Sequence, residues 1–159
     1  MSSAQNDALL ALYRYFIIAS RTRAELKRIQ DGQDYRQKQP LSTNDFVIYL
    51  LSGPPSLFFI WCGMLYVVVE GYRELKLKDS AVDSLLADSG RLDVLKRCRN
   101  GIFHFQKNYF DDRFMGPLRD LFFTEWAQQL TKALGDCLTS ELQAKGLIPP
   151  PQIDLSQFS

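Results

Sequence analysis

The stretch that decides the fold is PSLFFIWCGMLYVVVEGYRELKL, Pro55 to Leu77. Between Leu57 and Val69 no charged side chain interrupts it, so a helix formed there has no face to offer water. Such a helix has to be surrounded by other helices. The competing reading, a membrane span, needs about 20 apolar residues, and Glu70 ends this run well short of that. No membrane partner is therefore expected. Val67, Val68 and Val69 favour strand locally, but they lie inside an apolar block of helical length. Beyond them Glu70, Gly71, Tyr72, Arg73 and Glu74 turn polar and carry the helix out of the core, with Glu70 and Glu74 four residues apart on one face.

Outward from this centre the punctuation is helical throughout. Residues 4 to about 30 repeat Leu9, Leu12, Tyr13, Phe16 and Ser20 at helical spacing, with basic residues crowding the last turns. Residues 31–40 are polar and contain the breakers Gly32 and Pro40, a loop. Ser42 and Asp45 form a capping box for a short helix to about Leu51, and Gly53-Pro54-Pro55 stops one element and starts the next. A short helix is expected over Asp79–Asp88, with Ser80 and Asp83 in capping positions, and Ser89-Gly90 separates it from a helix over Arg91–Phe110. Asp111-Asp112-Arg113 and Gly116-Pro117 make a break, and Pro117 suits the first turn of a new element. The last helix runs from Thr124 or earlier to about Ala144, striped by Trp126, Leu130, Leu134, Cys137, Leu138 and Leu142 and ended by Gly146. No run alternates as a strand does. The expected fold is all-α, an up-and-down bundle of about four to six helices over residues 1–146, with an extended Pro-rich tail over 147–159.

Composition narrows the function. With 159 residues, 46% of them hydrophobic, the chain is long enough for a real core and too apolar for disorder. A net charge of +1 argues against general nucleic-acid affinity, so any RNA contact has to be local. Cys62, Cys98 and Cys137 are scattered through apolar helical patterns without a CxxC, which reads as buried free thiols in a reducing, cytoplasmic setting. Arg14 interrupts the first apolar stretch, against a secretory signal. One histidine and dispersed cysteines make no metal-ligand cluster, and neither metal nor cofactor is expected.

That one histidine stands in Arg99-Asn100-Gly101-Ile102-Phe103-His104. Histidine takes and gives protons near neutral pH, and an arginine fork is shaped to clamp a phosphate. On a helix over Arg91–Phe110, the residues Val94, Leu95, Cys98, Ile102, Phe105 and Tyr109 share one side, while Lys96, Asn100, His104 and Lys107 share the other. Arg99 lies on the flank. A polar, basic stripe on a near-neutral protein suggests an anionic ligand.

An arginine, a polar residue and a histidine at this spacing resemble the signature of the HEPN superfamily, small helical proteins that include metal-independent endoribonucleases. The resemblance implies a helical bundle, matched in architecture over residues 4–144 and in specific residues only over Arg99–His104. It implies a homodimer whose two motifs face each other in one cleft. Arg99 would bind the scissile phosphate, His104 would move the proton, and Asn100 would position a phosphate or the 2′-hydroxyl. Lys96 and Lys107 would add RNA contacts, and Glu70 or Glu74 would orient Arg99 or His104. Cleavage would use the RNA's own 2′-hydroxyl and leave a 2′,3′-cyclic phosphate. Such a protein would act as a toxin or phage-defence effector, with an antitoxin as a possible partner. Related toxins carry a modifiable tyrosine two residues after the histidine; here that position is Gln106, against neutralisation by nucleotidylation. The competing reading is a non-catalytic HEPN dimer that binds RNA, a nucleotide or a protein; a third is a plain helical interaction protein.

Overall fold

A computed structural model describes residues 3–32, 54–108, 111–120 and 122–147. The short helix expected between Ser42 and Leu51, residues Tyr109 and Phe110, and the proline run at 149–151 lie outside them. Among the described residues there are six helices and no strand, an all-α helical bundle. They are α1 (Ser3–Gly32), α2 (Pro54–Glu74), α3 (Ser80–Leu86), α4 (Ser89–Phe103), α5 (Asp112–Arg119) and α6 (Phe123–Ala144).

The apolar stretch forms the centre. Along α2, Trp61, Cys62, Leu65, Val68 and Val69 are fully buried, because α1 packs along one side and α4 along another. By length and composition α2 alone would pass for a membrane span, but 67% of its apolar window is buried inside the protein. Helix α1 approaches closely: Leu12 rests where a side chain on Gly71 would stand, and Phe16 where one on Gly135 of α6 would stand. Trp61 donates to the Thr131 hydroxyl at 3.2 Å, so even the polar edge of the largest core side chain is satisfied across α2 and α6.

Aspartates start the short helices. Asp79 caps α3 by accepting from the amides of Ala81 and Val82, Asp88 caps α4 through Arg91, and Asp111 caps α5 through Arg113. The expected cap roles of Ser80 and Asp83 are thus corrected: Asp79 caps, and Asp83 accepts from the Tyr72 hydroxyl at 2.9 Å. Ser89 and Gly90 are no separator but the first residues of α4. Pro117 is likewise not at a helix start. It lies within α5, where Gly116 before it has no Cβ to clash with the proline ring.

Two helices end in the same six-residue turn. Leu147 donates to the Leu142 carbonyl at 3.0 Å and Gly146 to Gln143 at 2.9 Å, with Gly146 at φ +65°. Leu147, expected in the tail, packs on the core as that turn's apolar residue. At the end of α2, Leu77 donates to Tyr72 and Lys76 to Arg73, with Lys76 itself left-handed at φ 52°.

Candidate functional site

The main departure from expectation falls on the motif. Helix α4 stops at Phe103, and His104 is its C-cap with an extended backbone, φ −129° and ψ 132°. The expected helix over Arg91–Phe110 therefore does not exist in one piece. The cause is Gln106, whose side-chain amide donates to the His104 carbonyl at 2.6 Å and to the Asn100 carbonyl at 3.4 Å. It satisfies the His104 carbonyl, which a continuing helix would have paired with its own backbone, and adds a second bond to the Asn100 carbonyl, which already accepts from the His104 amide. Gln106 is held in turn from α5, because Arg113 donates to its side-chain oxygen. Past Phe103 the helical periodicity no longer assigns faces. Phe105, expected inward, is 91% exposed. His104 does face outward, but from an extended segment and not from a helical polar stripe.

On α4 itself the placement follows the periodicity. Leu95 and Cys98 are buried, and Ile102 packs against the core. Cys98 points back into α2, its thiol directed at the Phe59 carbonyl, and burial pushes the neighbouring Cys62 thiol well up from its ordinary range. One residue on, Arg99 turns to the rim. Its Nη2 pairs with Oε2 of Glu70 on α2 at 3.4 Å, and its Nη1 donates to the Asn100 side-chain oxygen at 3.0 Å. With that oxygen engaged, the donor left on the Asn100 side chain is its amide nitrogen. The Arg99 Nε–H is buried with no hydrogen-bond partner and is shut off from solvent, so the N–H groups not engaged by the protein that a ligand could meet are the second ones on Nη1 and Nη2. The His104 amide donates to the Asn100 carbonyl at 3.2 Å, which ties the histidine's backbone to the same turn.

Arg99, Asn100 and Glu70 thus form one bonded group, with His104 attached through its backbone. Glu74, the last residue of α2, is exposed and makes no bond to Arg99. Lys96 is exposed on α4 one turn before Arg99, and Lys107 is exposed in the segment after the helix, so the two do not share a helical face. Among the described residues no three of His, Cys, Asp and Glu gather as metal ligands would.

Beside the histidine the structure opens a cavity of about 490 Å³, between α2, α4 and α5. Phe59, Ile60, Phe103, Phe105 and Phe114 supply its apolar lining, and His104 and Gln106 lie on it. Sequence reasoning missed this cavity and the roles of Gln106 and Arg113. The only available signal was indirect: Asp111 before Asp112-Arg113 announces a new helix start within eight residues of Phe103, which leaves room for a break. Compared with protein-family models, with curated proteins and with solved structures, the chain gives no match in any of the three.

Proposed function

We propose that this protein is a metal-independent endoribonuclease of the HEPN type, acting as a homodimer in which Arg99 and His104 of both copies line one cleft. The observation that carries the reading is an exposed lone histidine five residues after an arginine whose guanidinium is oriented by Glu70 and Asn100, each of which engages only one N–H of a terminal nitrogen that carries two. His104 removes the proton from the 2′-hydroxyl, or donates one to the departing 5′-oxygen, and a second copy supplies the complementary role. Arg99 stabilises the charge that builds on the phosphorane, with Asn100 donating to the same group. Glu70 holds the guanidinium in place. Lys96 and Lys107 attract the RNA backbone. In a cell this activity would serve growth arrest or phage defence.

The test is cleavage of RNA by the purified protein in EDTA, with the ends analysed for cyclic phosphate. His104→Ala is expected to reduce the rate by roughly 10²–10⁴-fold with the fold intact, since an exposed residue contributes little packing. Arg99→Lys is expected to fail as well, because lysine brings a point charge where a two-pronged donor is needed. DNA, without the 2′-hydroxyl, is expected to survive. Cleavage of DNA at the same rate rejects the mechanism. Undiminished cleavage by His104→Ala moves the protein to the non-catalytic reading, a dimer that binds RNA or a partner protein.

A further inference from the structure

We propose that the cavity beside His104 is a nucleobase subsite, which makes the substrate single-stranded RNA with one base stacked on Phe105; this rests on the ribonuclease reading above. The floor of the cavity is fixed. Phe59 and Phe114 meet edge to face, with ring centroids 5.3 Å apart and planes at 85°, and this pair joins α2 to α5. Its mouth is aromatic and open: Phe103 is 51% exposed and Phe105 91% exposed. A phenylalanine left in water forgoes most of its burial energy, and two of them at the mouth of one apolar recess are matched by a flat apolar group.

Charge narrows the class of that group. Among the described residues the lining itself holds no Lys or Arg, but three cations adjoin it in sequence: Arg99 two residues before Gly101, Lys107 between Gln106 and Asn108, and Arg113 next to Phe114 and bonded to Gln106. No described Asp or Glu lines it; Glu70 pairs with Arg99, and Asp111 lies 3.6 Å from Arg113. An apolar slot whose lining residues are flanked by cations suits a planar ring carrying an anion, as a nucleotide does. Its size falls in the range of small-ligand sites, about 300–1,000 Å³. Because His104 lies on the same cavity, a base seated there places its own phosphodiester at the histidine. A base inside a duplex is already stacked and paired, so only an unpaired one enters.

The probe is a short single-stranded oligonucleotide, 2′-O-methylated throughout so that it has no nucleophile, carrying one 2-aminopurine. A matching oligonucleotide lacks that base. With the full-length protein, binding is expected to quench the 2-aminopurine and to be weaker for the abasic strand. Phe105→Ala and Phe105→Leu are expected to weaken the base-containing strand roughly 5- to 150-fold, the equivalent of about 1–3 kcal/mol for one base–aromatic stack. Phe105→Trp, which keeps a ring, is expected to retain binding. Circular dichroism checks that each variant folds. Equal binding of the two strands, or binding indifferent to Phe105, overturns the subsite even where RNA is cleaved. A Phe105→Ala variant that turns a dimer into a monomer with quenching unchanged also overturns it, since the ring then belongs to an interface between copies. Base-dependent binding without RNA cleavage upholds the subsite and removes the nuclease reading. Neither binding nor cleavage overturns both.

Discussion

Gly101 lies between Asn100 and the end of α4, and its α-hydrogen faces α5 at close range. A Cβ placed there would stand 2.9 Å from Cβ of Arg113, and 3.5 and 3.6 Å from the Phe114 ring. The first contact cannot be relieved by turning a side chain, because Cβ moves only with its backbone. Gly101→Ala therefore pushes α5 away from α4. Overpacking of this kind costs about 1–3 kcal/mol, and the better helix propensity of alanine returns about 1 kcal/mol. The net expectation is a loss of about 1 kcal/mol, which in a protein of this size lowers Tm by roughly 2–4 °C. Gly90→Ala is the control. There a Cβ meets nothing nearer than Asp88 Oδ1 at 3.5 Å, an ordinary contact. Alanine at that exposed position is expected to stabilise by about 0.4–1 kcal/mol. Thermal and urea unfolding, followed by circular dichroism at the helical band, reads both. The two variants should shift in opposite directions. If Gly101→Ala also rises, α4 and α5 are not in contact at this point, and the support that α5 gives to Gln106 and His104 falls with it.

Lys76, left-handed at φ 52°, carries a strain of about 1–2 kcal/mol for a residue with a Cβ; Lys76→Gly is expected to raise the urea midpoint by an equivalent of about 0.5–1 kcal/mol after glycine's extra unfolded freedom is deducted. Tyr72→Phe removes a hydroxyl that donates to Asp83 at 2.9 Å and accepts from the Asp79 amide at 2.8 Å, so a loss of about 1–3 kcal/mol is expected in the same assay. Burial, helped by Asp79, Glu141 and Asp83, pushes the Cys137 thiol up from 9.0 to about 11, and burial raises Cys62 and Tyr72 too. The folded state resists losing these protons while the unfolded chain gives them up, so stability is complete below about pH 9 and declines as the pH climbs towards 11. The midpoint should fall between pH 8 and 10.5, less steeply in Cys137→Ala; a flat midpoint contradicts the burial.

What the sequence made legible divides along a physical line. Burial over a whole helix is written in many residues at once, and both α2 and α6 came out close to expectation: the stripe Trp126, Leu130, Leu134, Cys137, Leu138 and Leu142 is buried throughout. Capping by Gly146 was equally readable, since a left-handed turn at a helix end selects glycine. Helix ends set by side-chain hydrogen bonds were not. Nothing local in Phe103-His104-Phe105 forbids a helix, and the apolar spacing carries on through Phe105 as though α4 continued. The break is decided by Gln106 reaching back to two carbonyls and by Arg113 reaching across from the next helix. Side-chain hydrogen bonds of that kind leave no periodic trace. The pairing of Glu70 with Arg99 was foreseeable from their charges and faces, while Glu74, one turn on, had the same local credentials and ends up exposed at the end of its helix.

The placement of His104 beyond the helix changes what its chemistry depends on. A histidine inside a helix has its backbone fixed by its own turn. Here the imidazole is carried by an extended residue whose carbonyl is gripped by Gln106 and whose amide returns to Asn100. Its position relative to Arg99 is thus set by two helices, α4 through Asn100 and α5 through Arg113, and not by α4 alone. The same segment carries Phe105, which lines the apolar cavity together with His104. On the proposed nuclease reading, the reach between the histidine and the arginine fork depends on this segment, and an error of about 1 Å there can cost about 10²-fold in rate. Helix α5, which bears neither motif residue, accordingly belongs to the site as much as α4 does.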